Sequence, residues 1–153
     1  MLEIFVDGDA CPVKAEVERV AERHGLGVVI VSNGGLRPSR HPLIRHVTVA
    51  AGADAADDWI AENAGEGDIV VTADIPLADR ALKKGARVLG PSGKAFTTDT
   101  IGAALGMREL QRHLRELTPG GQTHHAGFSK QDRSRFLSAL ENEVQAVRRK
   151  FPR

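Results

Sequence analysis

The chain has 153 residues, of which 41% are apolar, and this length and composition fit one globular domain with a sizeable core. Cys11 is the single cysteine, which excludes an intramolecular disulfide and a zinc site built on paired cysteines. No apolar run approaches the roughly 20 residues of a membrane span, and acidic residues appear too early for a secretory signal. We therefore expect a cytoplasmic protein that does not bind membranes.

The net charge of +1 conceals an uneven distribution. Residues 1–107 hold 11 Lys and Arg against 15 Asp and Glu, whereas residues 108–153 hold 10 against 5. Such a split is typical of an acidic reaction centre beside a basic surface for a polyanion such as RNA or DNA. Solvated basic faces on C-terminal helices explain it equally well. With no tyrosine and one tryptophan, the chain has few rings for stacking on bases.

Short apolar runs alternate with segments of helical periodicity up to residue 89. The runs are typical of buried strands, and we predict strands at residues 2–6, 28–31, 46–50, 68–73 and 86–89. Helices are predicted from Pro12 to Gly25, from Asp54 to Asn63 and from Pro76 to Lys84. This alternation predicts an α/β fold in three layers, with a central, mostly parallel sheet of four or five strands.

The pattern changes after Gly93. A helix is predicted over residues 98–117, and residues 118–128 form a Gly-rich linker that contains histidines. Ser129 and Asp132 resemble a capping box at the start of a last helix that ends near Lys150. The sequence therefore predicts a single domain with its core at residues 1–117, a linker at 118–128 and a C-terminal helix at 129–150.

Aspartates follow two of the predicted strands and open one of the predicted helices. Asp7 and Asp9 come directly after the first strand, and Asp74 follows the fourth. Ligands of open α/β sheets bind beyond the carboxyl ends of the strands, where the strand order reverses. If the first and fourth strands are neighbours, their ends lie about 5 Å apart. Asp54 and Asp57, three residues apart at a helix start, can share one helical face.

Converging carboxylates repel one another unless a cation lies between them. Oxygen ligands without cysteine or paired histidine favour Mg²⁺ or Mn²⁺ over zinc. We therefore predict a metal site formed by Asp7, Asp9, Asp54, Asp57 and Asp74. Helix capping by Asp9 or Asp74 is an alternative, and first-turn carboxylates are also stabilised by the helix dipole.

Several other residues are candidates for roles near this site. Arg37 and Arg40 lie in a breaker-rich loop after the second strand, where they can face a substrate phosphate or simply solvent. Lys94 is a weaker candidate for the same role. Cys11 is interpreted as a small buried thiol. The predicted helix at residues 98–117 carries a stripe of basic residues, Arg108, Arg112 and Arg115. We expect this stripe either to contact a nucleic-acid backbone or to form a solvated helix face.

The acidic motifs resemble those of the YaiI/YqxD family of uncharacterised proteins, over nearly the whole chain. The matching segments are Asp7-Gly8-Asp9-Ala10-Cys11-Pro12, Ala50-Ala51-Gly52-Ala53-Asp54-Ala55-Ala56-Asp57 and Thr72-Ala73-Asp74-Ile75-Pro76-Leu77-Ala78, with looser matches at Leu36-Arg37, Phe96-Thr97 and Ser129-Lys130-Gln131-Asp132-Arg133. The family often has Ala where this chain has Gly8.

This family is similar to PIN-like nucleases, whose acidic residues occupy comparable strand ends and bind magnesium or manganese. The resemblance implies a PIN-like fold in which Asp7, Asp54 or Asp57, and Asp74 are core catalytic ligands. It further implies that Thr72 is a hydroxyl neighbour, and we include Thr72 among the possible substrate-binding residues. Asp79 is the nearby candidate for the fourth acid of such nucleases, although pairing with Lys83 at i,i+4 favours a structural role.

Three functions compete at this point. The first is a metal-dependent nuclease, in which an activated water attacks a phosphodiester of RNA or DNA. The second is a phosphatase of the haloacid-dehalogenase type, because Asp7-Gly8-Asp9 resembles its nucleophile motif and Ser32 supplies a hydroxyl after the second strand. The third is a non-catalytic regulator that binds RNA or a protein through the basic C-terminal half.

Overall fold

The computed structural model describes residues 2–8, 11–34, 41–49, 55–103, 105–107 and 129–150. Strands and helices alternate within these ranges, and residues 98–103 and 105–107 are also helical. In chain order the main elements are β1 (Glu3–Asp7), α1 (Lys14–His24), β2 (Gly27–Ser32), β3 (Ile44–Thr48), α2 (Ala55–Asn63), β4 (Ile69–Val71), α3 (Ile75–Lys83), β5 (Arg87–Leu89), β6 (Ala95–Phe96) and α4 (Lys130–Lys150).

The described strands form one sheet in the order β3-β2-β1-β4-β5-β6. The first five strands in this order are parallel to their neighbours, and β6 runs antiparallel to β5. The predicted α/β fold with a mostly parallel sheet is therefore confirmed. The sheet has one strand more than the four or five predicted, because β6 has only two residues and no periodicity to reveal it.

Helices pack on both faces of the sheet, with an apolar core between the sheet and the helices on each face. Strand residues alternate between the faces, so Ile4 and Val6 belong to one core and Phe5 to the other. On the first face α1 and α4 cover the sheet; on the second face α2, α3 and the helical residue Ile101 cover it. This arrangement gives the three layers that the alternation of elements predicts.

Element ends follow the local chemistry of the chain. Gly25 ends α1 in the left-handed conformation, with φ of 67°, and its N–H bonds to the last carbonyls of the helix. The third strand begins at Ile44 rather than at the predicted His46, because Ile44 is buried and pairs with Val28 of β2. Tertiary pairing thus extends this strand into a segment whose prolines and glycines predicted irregular structure.

The C-terminal helix α4 packs its apolar stripe on the first face. Phe136, Leu140, Val144 and Val147 are each at most 3% exposed, at spacings typical of one helical face. Burial of a side chain such as Phe136 contributes about 1.5–3 kcal/mol. The predicted capping box is present, since Ser129 N donates to Asp132 Oδ2 at 3.0 Å and Asp132 N donates to Ser129 Oγ at 3.1 Å.

None of the helices described here combines the length and the apolar character that crossing a membrane requires.

Candidate functional site

Two predicted site residues meet where the strand order reverses. Val6 and Val71 are partners in the parallel β1–β4 pair, so Asp7 and Thr72 follow side by side at the carboxyl ends of these strands. The Thr72 hydroxyl donates a hydrogen bond to Oδ2 of Asp7 at 3.2 Å. Thr72 is only 1% exposed, so its hydroxyl is shielded from water, and the bond it donates holds the partly exposed Asp7 carboxylate in place.

The same hydroxyl connects Asp74 to this pair. The backbone N–H of Asp74 donates to Thr72 Oγ1 at 3.0 Å. The Asp74 side chain caps α3, because its Oδ1 accepts a hydrogen bond from Leu77 N at 2.9 Å. The interpretation of Asp74 as a helix cap is therefore confirmed. A cap uses one carboxylate oxygen, which leaves the second oxygen chemically able to bind a cation.

Asp57 lies in the first turn of α2 and is half-buried. Helix α2 follows β3 and contacts β1 and β2, so its first turn lies at the carboxyl edge of the sheet. Asp9 and Asp54 lie outside the described residues. Within the described ranges, no three acidic, histidine or cysteine side chains lie close enough to form a metal-binding cluster. The five-aspartate metal site therefore stays a prediction.

The basic residues proposed to contact a substrate are described only in part. Lys94 is exposed in the turn between β5 and β6, and this turn follows the carboxyl end of β5. It therefore lies at the same edge of the sheet as Asp7. Arg37 and Arg40 lie outside the described residues, and so does the predicted basic stripe at Arg108, Arg112 and Arg115.

Cys11 follows the Asp7 strand and is 7% exposed. Burial raises the pKa of its thiol, and the nearby charge of Asp7 raises it further, whereas the Val13 N–H and Lys14 act in the opposite sense. A buried thiol of raised pKa stays protonated at neutral pH, and protonated thiols are poor nucleophiles and metal ligands. The burial that the sequence predicts for Cys11 is confirmed.

Two other acidic residues near the edge are engaged in ion pairs on helix surfaces. Asp79 pairs with Lys83 at 2.9 Å along α3, which confirms the i,i+4 pairing predicted from the sequence. Asp58 of α2 pairs with Arg80 of α3 at 2.7 Å. These contacts favour structural roles for both carboxylates.

Arg133 ties the C-terminal helix to the segment that follows β1, a link that the sequence analysis missed. Its guanidinium donates from Nη1 to Pro12 O at 2.7 Å and to Glu16 Oε1 at 3.0 Å. Glu16 lies among the buried valines of α1 and is 8% exposed. A carboxylate on the apolar face of a helix needs a cationic partner, so Glu16 was the available signal that a distant Arg or Lys packs here.

Asp68 has a perturbed pKa but lies at the opposite edge of the sheet. It accepts hydrogen bonds from Glu3 N at 3.1 Å and from Gly65 N at 3.0 Å, at the amino ends of β1 and β4. Burial raises its pKa above the ordinary value, although both hydrogen bonds act to lower it. Because ligands bind at the carboxyl ends of parallel strands, we interpret Asp68 as a structural residue.

The fold and the carboxyl edge of its sheet, which carries Asp7 and Asp74, define the class of protein. It is a three-layer α/β protein with acidic residues at the switch point of a parallel sheet. A family described as "Uncharacterized BCR, YaiI/YqxD family" matches residues 5–146. The chain belongs to this family, as the motifs at its strand ends predicted.

The chain is also similar over nearly its full length to curated bacterial proteins. It is 62% identical over 154 residues to a UPF0178 protein of Parvibaculum lavamentivorans, covering 99% of each chain. It is 64% identical over 138 residues to UPF0178 protein mlr0875 of Mesorhizobium japonicum, covering 90% of this chain and 88% of the relative. UPF0178 protein Atu1478 of Agrobacterium fabrum is 55% identical over 147 residues, with 96% and 95% covered. No solved structure matches the chain.

Proposed function

We propose that this protein is a PIN-like, divalent-metal-dependent nuclease that hydrolyses phosphodiester bonds of RNA or DNA. The observation that carries the proposal is the junction of β1 and β4, where the Thr72 hydroxyl connects Asp7 to the backbone of Asp74. This junction lies where the strand order of the parallel sheet reverses. Ligands of open α/β sheets bind at this position.

The carboxylates at this edge of the sheet are the type of ligand that suits a hard cation such as Mg²⁺ or Mn²⁺. The described residues do not bring three of them together, so the proposed set needs Asp9 or Asp54 as well. Asp7, Asp57 and Asp74 come from β1, the start of α2 and the cap of α3, and each supplies carboxylate oxygens. Oxygen ligands are the ones that these ions prefer. Asp9 and Asp54 complete the proposed set. Cys11 is not part of the proposed set, because its thiol is buried and hard cations prefer oxygen to sulfur ligands.

The proposed roles of the residues follow from their positions. A bound ion of this kind lowers the pKa of a coordinated water and stabilises charge on a phosphoryl oxygen. Thr72 keeps Asp7 in one orientation, because its buried hydroxyl donates to that carboxylate. Lys94, at the same edge, together with Arg37 and Arg40, is proposed to bind substrate phosphates.

Phosphodiester hydrolysis, as distinct from metal binding, rests on the likeness to PIN-like nucleases. In those enzymes acidic residues at comparable strand ends bind magnesium or manganese. The chain departs from them at the fourth acid, because Asp79 is engaged by Lys83. We therefore propose a site formed by Asp7, Asp9, Asp54, Asp57 and Asp74 together, with no contribution from Asp79.

The test measures metal binding before activity. Calorimetric titration of Mn²⁺ into the wild type is expected to show saturable binding, which Asp7→Asn abolishes because it removes the central charge. Asp58→Asn is the matched control, since Asp58 is an exposed carboxylate that pairs with Arg80 on the helix surface. Equal binding by Asp7→Asn and the wild type, or no binding by either, refutes the metal site.

Activity is then measured on labelled RNA and DNA with Mg²⁺ and with Mn²⁺. Cleavage that is lost in Asp7→Asn and kept in Asp58→Asn supports the nuclease. Beryllofluoride trapped on Asp7 together with turnover of phosphomonoesters indicates the phosphatase alternative instead. Nucleic-acid binding without turnover, unchanged by Asp7→Asn and Asp74→Asn, indicates a non-catalytic regulator.

A further inference from the structure

The first turns of α1 and α4 border an open basic cleft. It consists of two adjoining depressions, one of about 330 Å³ between the two helices and one of about 410 Å³ along α4. Lys130 and Ser134 line both. We call this surface the α1–α4 cleft.

Cations predominate in the α1–α4 cleft. Its lining carries Arg19, Lys130, Arg133 and Arg135, and Glu16 is the carboxylate among its described lining residues. Arg133 pairs with Glu16 at 3.0 Å. Arg19 and Lys130 form no ion pair with any residue that the structure describes, and both side chains are exposed. A surface of this kind attracts a polyanion.

Arg135 forms an ion pair with Asp132, the capping-box residue, whose carboxylate lies 3.7 Å away. Its charge is therefore partly neutralised. The buried wall of the cleft also has an unmet hydrogen-bonding need. Oε2 of Glu16 is buried and has no hydrogen-bond partner in the described part of the chain. Because this oxygen is buried, it does not contact a ligand in the cleft, so binding of an anion depends on the exposed cations.

The α1–α4 cleft lies beside the edge that carries the aspartates. Arg133 donates to the carbonyl of Pro12, and Pro12 belongs to the short segment between Asp7 and α1. Glu16 and Arg19 lie in the first half of α1, the end that follows this segment. A chain bound in the cleft therefore has a short path to Asp7.

The aromatic side chains favour contacts with a nucleic-acid backbone over stacking on bases. The chain has no tyrosine and one tryptophan. Trp59 packs against Phe5, with ring centroids 6.1 Å apart, and Phe136 is fully buried. None of these three rings lines the cleft, whereas Arg, Lys, Gln and Ser side chains, which contact phosphate oxygens, do.

We propose that the α1–α4 cleft binds the sugar–phosphate backbone of a nucleic acid and leads a strand to the aspartate edge. The path of the strand toward the aspartates rests on the proposed function. Binding in the cleft needs neither a metal ion nor catalysis. Arg19 and Lys130 contact phosphates.

The test measures binding of a fluorescein-labelled 20-nucleotide RNA, and of DNA of the same sequence, by anisotropy in EDTA. Salt is varied from 50 to 200 mM. Each single-strand phosphate contact contributes about 0.7 to the slope of log K against log salt concentration. Arg19→Ala and Lys130→Ala are each expected to lower the slope by about that amount and to weaken binding about two- to five-fold.

Arg149→Ala is the matched control, because it removes the same charge from an exposed position of α4. It lies 19 residues beyond Lys130, about 28 Å along the helix. The three substituted side chains are exposed, so circular dichroism is expected to show an intact fold in each variant. The proposal is overturned if all three variants bind alike, or if the wild type binds neither strand at 50 mM salt.

These outcomes are separable from those of the metal titration. Loss of Mn²⁺ binding in Asp7→Asn, with unchanged slopes in Arg19→Ala and Lys130→Ala, supports the metal site and overturns the cleft. Unchanged Mn²⁺ binding in Asp7→Asn, with lowered slopes in Arg19→Ala and Lys130→Ala, supports the cleft as a nucleic-acid surface and refutes the metal site.

Discussion

The Thr72 hydroxyl is the group on which the geometry of the β1–β4 junction depends. Thr72→Val replaces it with a methyl group of nearly equal size, so the change removes two hydrogen bonds and creates no cavity. One bond is donated to Asp7 Oδ2 at 3.2 Å, and the other is accepted from Asp74 N at 3.0 Å. Thr72→Ser is the matched control, because it keeps the hydroxyl and loses only a methyl group.

The expected loss of stability follows from these bonds. A hydrogen bond to a charged group contributes about 1.5–3 kcal/mol and a neutral one about 1 kcal/mol. Asp7 and Asp74 are both partly exposed, and water compensates part of the loss. We therefore expect Thr72→Val to lower the free energy of unfolding by about 2 kcal/mol, and Thr72→Ser by about 0.8 kcal/mol for the lost methyl group.

Urea denaturation at pH 7 without divalent cations measures this loss of stability. Mn²⁺ calorimetry measures a second expected effect, the loss of metal affinity. Loss of a group that orients a metal ligand typically weakens metal binding about 10- to 100-fold, so Thr72→Val is expected to bind Mn²⁺ that much more weakly than Thr72→Ser. Equal stability and equal Mn²⁺ affinity in the two variants would show that the hydroxyl does not organise this junction.

Two further predictions concern the packing of α4 on the rest of the fold. Gly93→Ala is expected to lower the free energy of unfolding by more than about 2 kcal/mol, because φ is +89° and a Cβ atom would lie 2.9 Å from the backbone of Arg135. Gly25→Ala is the control, since φ is +67° but the space around it is open. In the same urea denaturation assay it should cost only about 1 kcal/mol. Burial raises the pKa of Glu141, but hydrogen bonds from His24 and Arg23 outweigh it and lower the pKa below its ordinary value of 4.5. The stability that this carboxylate contributes is therefore complete above that value and lost as the pH falls through the lowered pKa. The stability difference between wild type and Glu141→Gln should shrink over this range; a difference that is constant with pH would contradict this explanation.

Local sequence signals predicted much of the fold because they act between near neighbours. The alternation of short apolar runs and helical periodicity predicted the strands and the three layers. The Asp74 cap, the Ser129–Asp132 capping box and the Asp79–Lys83 pair were predicted from spacings of three or four residues, and the structure contains each of them. Such contacts form within one turn of helix, so their geometry is already set by the backbone.

The sequence by itself thus determined the order of the strands and helices along the chain up to β5, and which carboxylates lie near their ends. Only the tertiary structure decided that β1 lies next to β4, which brings Thr72 to Asp7 across 65 positions of the chain, and that Arg133 reaches Pro12 across 121. The physical reason is that any two of these apolar strands can form the same backbone hydrogen bonds. Their order is selected by the helices that must cover both faces of the sheet, and that choice depends on the packing of the whole domain.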